Sequence, residues 1–150
     1  MKSPKTIKEI FSFCPGIINK EIPLSQEIVE SVECDSRKIK KGSIFVAIEG
    51  ENYDGHSFIQ EALNKGAVII VGTQEKWGEL LHNKYIQVID ARRAYAYLAA
   101  AFYDFPARKL TVIGVTGTDG KTTTANLIFQ ILKQAGLKAG IISTVNAIVG

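Results

Sequence analysis

The residues Gly114-Val115-Thr116-Gly117-Thr118-Asp119-Gly120-Lys121-Thr122-Thr123-Thr124 constrain this chain more than any other stretch. An apolar run of strand length, Leu110–Thr116, leads in, and a helix with apolar periodicity, Thr122–Gln134, leads out. A strand, a glycine turn and a helix in succession gather backbone N–H groups into one concavity that suits phosphate oxygens. Glycine at 117 and 120 lets the backbone approach a ligand without a Cβ in the way. Lys121 can reach terminal phosphates as a point charge, and Thr122 offers a hydroxyl to Mg²⁺. The strict spacing G-x-x-x-x-G-K-[ST] is not met: its first glycine would fall at Val115, and the glycines stand at 114 and 117. The competing reading, a Gly- and Thr-rich surface turn with a solvated lysine, leaves the strand–loop–helix setting unexplained.

The rest of the chain reads as folded protein. Its 150 residues are 46% hydrophobic and 22% charged, which excludes a disordered tail or a fibrous repeat. No apolar run reaches the ~18 residues of a membrane span. The longest, Ala94–Tyr103, reads as a buried helix with Tyr95, Tyr97, Phe102 and Tyr103 in the core. No secretory h-region follows the charged start, and two cysteines, Cys14 and Cys34, form no disulfide framework, so a reduced cytoplasmic setting is expected. A net charge of +3, with dispersed Lys and Arg, argues against nucleic acid and suits a small anionic ligand.

Strand and helix patterns alternate before the loop. Ile7, Ile10 and Phe11 share a face of a helix over Thr6–Phe13, and Pro15-Gly16 and Pro23 interrupt the chain after it. Strands are expected at Ile28–Val32, Ile44–Ile48, Ala67–Val71 and Tyr85–Ile89. Helices are expected at Ser57–Asn64, with Asp54 or Ser57 as cap, and at Ala91–Tyr103, with Asp90 as N-cap and Pro106 forbidding extension. Trp77 falls in a polar connection where it can cover the sheet edge. This is an α/β pattern. The expected division is 1–107 and 108–150, the second part being a single βαβ unit: Leu110–Thr116, the helix with Leu127, Ile128, Ile131 and Leu132 inward, and Lys138–Val145. Two strands cannot cover a parallel sheet, so that unit reads as the start of a larger domain.

T-G-T-x-G-K-T-T after an apolar strand ending in G-V resembles the ATP loop of the Mur ligase family. These are the ATP-dependent amide-forming ligases of peptidoglycan precursor synthesis. Asp119 stands where the family usually has Asn. A second stretch is similar to the family's N-terminal domain: Cys34-Asp35-Ser36-Arg37, then Gly42-Ser43-Ile44-Phe45-Val46-Ala47-Ile48-Glu49-Gly50, then Asp54-Gly55-His56-Ser57-Phe58. The loop form is nearest to the branch that adds the third residue of the peptide; the dipeptide-adding branch and a non-catalytic nucleotide-binding module are the alternatives.

The resemblance implies a small N-terminal α/β domain holding the UDP moiety of the substrate, followed by the first βαβ unit of a truncated P-loop central domain. It implies UDP-substrate contacts at Cys34, Ser36, Glu51, Asn52 and Tyr53. It implies ATP contacts at Gly117, Thr118, Asp119, Gly120, Lys121, Thr122 and Thr123, with Lys121 catalytic and Thr122 on Mg²⁺. ATP, a UDP-N-acetylmuramoyl-peptide and an amino acid are the implied small-molecule partners. The chemistry is compatible: Ser36 can bond a phosphate or uracil edge, Asn52 can read an amide edge, and Tyr53 can stack on a base. Glu51 fits poorly beside a diphosphate. Asp35 and Ser36 serve equally well as an Asx or serine turn, with Arg37 paired to Asp35. His56 reads as a surface residue of an early helix with no acid–base partner nearby. The 150 residues alone are expected to bind ligands without turnover.

Overall fold

A parallel sheet made of continuous apolar runs needs cover on both faces, and the first part of this chain supplies it. The computed structural model describes residues 4–18, 26–145 and 147–148; the expected break at Pro23 lies outside them. The chain forms two units, Met1–Lys109 and Leu110–Gly150.

In the first unit β1 (Lys5–Thr6) runs into α1 (Ile7–Phe11). Thr6 caps that helix: its hydroxyl accepts the Glu9 N–H and Glu9 returns a carboxylate to the Thr6 N–H, a capping box. The run expected as one strand over Ile28–Val32 is two. β2 (Ile28–Val29) pairs antiparallel with β1, and β3 (Ser31–Glu33) joins the main sheet. Between them, the Glu30 N–H already donates to the Gly42 carbonyl, 2.9 Å away, on the side of the main sheet.

The main sheet continues with β4 (Ser43–Val46), then, after α2 (Ile59–Asn64), β5 (Ala67–Gly72), and after α3 (Lys76–Leu81), β6 (Tyr85–Gln87). Its order is β3-β4-β5-β6 and every pair is parallel. Crossovers of one hand that all step the same way put their helices on the same face. Ile59 and Ala62 of α2, with Trp77 and Leu81 of α3, accordingly pack with Phe45, Ala47, Ile70 and Tyr85. The opposite face carries the alternate residues Ile44, Val46, Ile69, Val71, Ile86 and Val88. It is covered by α1 and by α4 (Ala91–Phe102), the helices before and after the sheet. Asp90 caps α4 as expected, accepting the Arg93 N–H at 3.0 Å, a contact worth about 1 kcal/mol.

Three expectations change here. Trp77 sits in a helix, half-buried on the sheet, and not in an irregular connection. Tyr97 and Tyr103 are exposed, because α4 turns only Ala91, Ala94, Leu98, Ala101 and Phe102 inward, with Tyr95 at the margin. His56 is 2% exposed.

In the second unit α5 (Lys121–Gln134) forms and Gly136, at φ +76°, ends it. Leu110–Thr116 is not a strand: it has no regular structure, and Leu110, Val112 and Ile113 are exposed. Lys138–Val145 contributes only β7 (Ile141–Ile142), which pairs antiparallel with β8 (Ala147–Ile148). The face of α5 expected to point inward is only partly covered: Ile128 and Leu132 are half-buried, Leu127 and Ile131 are exposed, and Phe129 is the buried residue. A strand exists only by pairing, and among the described residues no strand pairs with 110–116.

Candidate functional site

Ligands of open α/β sheets collect at the carboxyl ends of the strands, and polar segments follow β3, β4 and β5 here. β3 leads into Cys34–Lys38. The Asp35 side chain accepts the Arg37 N–H at 3.0 Å, forming the Asx turn, and also takes the Arg37 guanidinium through both oxygens at 2.9 and 2.8 Å. Those bonds hold the Asp35 carboxyl well below the usual carboxylate range. Ser36 is buried. Its hydroxyl donates to Glu61 Oε2 at 3.1 Å, and Lys65 Nζ spans Glu61 Oε1 at 2.6 Å and the Ser36 carbonyl at 3.1 Å. The loop bearing Ser36 is thus clamped by α2, and the hydroxyl keeps its lone pairs for an incoming donor. Cys34 is exposed. It neighbours Tyr95, whose phenol is pushed up to about 12, first by burial and then by Cys34.

β4 leads into the second segment. Glu49 and Asp54 form an antiparallel bridge, Gly50 N–H donates to the Tyr53 carbonyl at 2.9 Å, and Gly55 N–H to the Ile48 carbonyl at 3.0 Å. Glu51, Asn52 and Tyr53 are therefore the exposed tip of a closed turn, with Tyr53 76% exposed. Arg92, in the first turn of α4, donates to the Glu49 carbonyl at 3.2 Å and fastens the turn's entry. The two sequence-derived segments follow the carboxyl ends of β3 and β4, which are adjacent and parallel.

Sequence reasoning missed the residues beneath that turn. The His56 ring Nδ1 lies 2.6 Å from Asp54 Oδ1, and its Nε2 accepts the Thr73 N–H at 3.2 Å. Asp54 Oδ2 takes Gln74 Nε2 at 2.9 Å. Burial works to raise the Asp54 pKa, but the bonds from the His56 backbone and ring and from Gln74 outweigh it and leave the carboxyl low. The Asp54 turn returns the His56 ring to its own carboxylate locally, a contact that no periodicity in the sequence announces.

In the second unit Gly117 has φ +151° and Gly120 has φ +72°, conformations that side chains disfavour. Gly120 stands at the N-cap of α5, and the helical ladder begins with Thr124 N–H to the Gly120 carbonyl, 2.9 Å. The amides ahead of it have no intrahelical partner, and that end of the helix favours an anion. Thr118, Asp119, Thr122 and Thr123 are exposed around it. Lys121 Nζ turns back onto the Gly117 and Thr118 carbonyls at 2.6 and 3.0 Å. Among the described residues no group of three or more His, Cys, Asp or Glu is placed to hold a metal. A single hydroxyl such as that of Thr122 fits Mg²⁺ only as one ligand of an ion held chiefly by phosphate.

The family model described as "Mur ligase family, catalytic domain" matches residues 28–103. The chain belongs to the Mur ligase family. It is 43% identical over 122 residues to a UDP-N-acetylmuramoyl-L-alanyl-D-glutamate–2,6-diaminopimelate ligase of Cytophaga hutchinsonii, covering 81% of this chain and 25% of that protein. It is 44% identical over 122 residues to a UDP-N-acetylmuramyl-tripeptide synthetase of Treponema pallidum, covering 81% and 23%. The chain spans about a quarter of the length of these curated relatives. Among solved structures, a UDP-N-acetylmuramoyl-L-alanyl-D-glutamate–2,6-diaminopimelate ligase matches in fold over 97% of this chain and 29% of its own, with TM-score 0.74 at 21% identity. A MurF ligase of Thermotoga maritima in complex with ADP matches over 69% and 23%, with TM-score 0.55 at 33% identity. For a Mur ligase the matched region is the parallel sheet and its two polar loops. The glycine loop at 114–124 lies beyond it. No helix of the described residues is long and apolar enough to cross a membrane.

Proposed function

We propose that this chain is the N-terminal portion of a cytoplasmic, ATP-dependent ligase that adds an amino acid to UDP-N-acetylmuramoyl-dipeptide in peptidoglycan precursor synthesis. Residues 1–107 hold the uridine diphosphate of the substrate, and 108–150 begin the ATP-binding domain. What supports the reading is that Cys34–Ser36 and Glu51–Tyr53 both follow the carboxyl ends of adjacent parallel strands, in a chain whose relatives bear tripeptide-forming names.

In this reading the clamped Ser36 hydroxyl accepts from the uracil N–H, the Asn52 amide reads the uracil and diphosphate, and Tyr53 stacks on the base. Cys34 and Glu51 flank that ligand. Gly117, Thr118, Asp119, Gly120 and Thr123 shape the phosphate cradle. Lys121 leaves the Gly117 and Thr118 carbonyls for the terminal phosphates, and Thr122 faces the metal. Mg²⁺ supplies charge neutralisation when it arrives with ATP. Activation of a carboxylate as an acyl phosphate, then attack by an amine, asks the protein for positioning and charge stabilisation more than for covalent help.

Isothermal titration of this chain with UDP and, separately, with ATP and Mg²⁺ tests the reading. Lys121→Ala should lose ATP and keep UDP. A chain that binds neither nucleotide refutes it. The dipeptide-adding reaction is the second reading, favoured by the likeness to the MurF ligase. In the full-length protein, the acceptor length that is extended, dipeptide or tripeptide, separates the two.

A further inference from the structure

Five residues, Asp54, His56, Thr73, Gln74 and Gln87, are joined in one chain of hydrogen bonds that the proposed binding residues do not include. Asp54 is its hub. Oδ1 accepts both the backbone N–H and the ring Nδ1–H of His56, at 2.9 and 2.6 Å, while Oδ2 accepts from Gln74 at 2.9 Å. With Nδ1 donating, Nε2 carries the lone pair that accepts the Thr73 N–H at 3.2 Å. Gln87 Nε2 donates to the Thr73 carbonyl at 3.3 Å, so β6 is tied in as well. The histidine ring therefore bridges the segment leaving β4 to the segment leaving β5.

The space for this ring is cut to size. A Cβ at Gly72 would lie 2.6 Å from His56 Nε2 and 2.5 Å from the Tyr85 hydroxyl. A Cβ at Gly55 would lie 2.6 Å from the Ile48 amide nitrogen. Both glycines are needed for the ring and its strand to sit this close. The Glu49–Asp54 bridge then transmits the fixed position of Asp54 to the tip.

We propose that His56 is a positioning residue for uridine-diphosphate binding: locked between Asp54 and Thr73, it holds the Glu51–Tyr53 turn in the binding geometry without touching the ligand. The inference rests on the reading of that turn as part of a uridine site. Its physical content is preorganisation. A tip that must be ordered by the ligand binds more weakly than one already held.

The experiment uses this chain, UDP as the probe, and two substitutions that each keep half of the ring's bonding. His56→Asn retains a donor near Nδ1 for Asp54, and His56→Gln retains an acceptor near Nε2 for Thr73. Calorimetric UDP affinity and amide hydrogen exchange are read together. The expected result is a loss of UDP affinity of roughly tenfold in each variant, the scale of one misplaced or unmade polar contact. Exchange at Gly50 and Gly55 should rise, while exchange at Ile70 and Val71 stays slow. Gln74→Met, which removes one bond to Asp54 and leaves the ring in place, should lose less. It supplies the same readout if both histidine variants fail to fold. Unchanged UDP affinity with faster exchange at Gly50 overturns the inference and leaves the uridine site standing. Equal slow exchange in parent and variants also overturns it. If the parent chain does not bind UDP, the uridine reading itself fails and takes the inference with it.

Discussion

Replacing Gly72 with alanine places a methyl group against two side chains that have no room to leave. The new Cβ would stand 2.5 Å from the Tyr85 hydroxyl and 2.6 Å from His56 Nε2, both well inside van der Waals contact. Tyr85 is wholly buried and His56 is 2% exposed, so neither is the loose end of a surface chain. Relief requires turning the histidine, which breaks its bonds to Asp54 and Thr73, or shifting β5 against β6. Inserting one methyl into a packed core costs about 1–3 kcal/mol. A domain of about a hundred residues loses roughly 4–8 °C of melting temperature for each kcal/mol. Gly72→Ala should therefore lower the melting temperature of the first unit by several degrees, read by circular dichroism and checked by urea midpoint. Gly78→Ala is the matched control. Gly78 lies inside α3, and its nearest neighbour would be Tyr85 Cδ1 at 3.8 Å, so alanine there removes a helix-interior glycine without a clash. It should be neutral or stabilising by up to about 1 kcal/mol. A Gly72→Ala protein that melts with the parent, or a Gly78→Ala protein that loses as much, would refute the packing argument.

Three further substitutions test the two proposed sites. Lys121→Ala in the full-length protein should remove most turnover, on the order of 3 kcal/mol or more of transition-state stabilisation, and leave the melting curve unchanged, because the side chain is exposed; steady-state kinetics with unchanged turnover would sink the phosphate-loop assignment. Ser36→Ala should weaken UDP binding by roughly 1 kcal/mol and leave ATP binding alone, as measured by calorimetry; equal loss of both would mean that the bond to Glu61 holds the fold and not the ligand. Asp54 has a lowered carboxyl pKa: burial opposes this, and the bonds from His56 and Gln74 outweigh it. Its stabilisation is therefore present above the ordinary carboxylate range near pH 4 and is lost as pH falls through the folded value, so the urea midpoint of Asp54→Asn should fall less on acidification than that of the parent.

The sheet was legible in the sequence because its strands carry their own evidence. Ile44–Ile48 and Ala67–Val71 are apolar without alternation, which only burial on two faces explains. Asp90 and Gly66 mark their helix ends by local chemistry alone. Trp77 escapes a pattern-based reading because Lys76–Leu81 is six residues long and is interrupted by Gly78, too short for periodicity to register. His56 escapes it for a related reason. An i to i+2 return of a ring onto a carboxylate leaves no periodic trace, and the third partner, the Thr73 amide, is brought there by strand pairing 17 residues away. The segments Cys34–Ser36 and Glu51–Tyr53 stand out by resemblance. That both leave the same end of neighbouring strands follows from the parallel pairing of β3 with β4.

Leu110–Thr116 is the converse case, apolar residues that form no strand. L-T-V-I-G-V-T has higher strand propensity than S-V-E, yet Ser31–Glu33 is a strand and 110–116 is not. Propensity describes how well a residue suits a pleated, half-buried surface; the surface itself comes from a neighbour. Ser31–Glu33 has β4 beside it, and the hydroxyls of Ser31 and Ser43 meet across the pair at 2.8 Å. Among the described residues of the second unit, β7 and β8 pair with each other and not with 110–116. The glycine turn and α5 form nonetheless, because their determinants are local: left-handed glycine at 120 and the ladder that starts at Thr124. A phosphate cradle can therefore be written in a short stretch of sequence, whereas the strand that supports it is defined only by a partner.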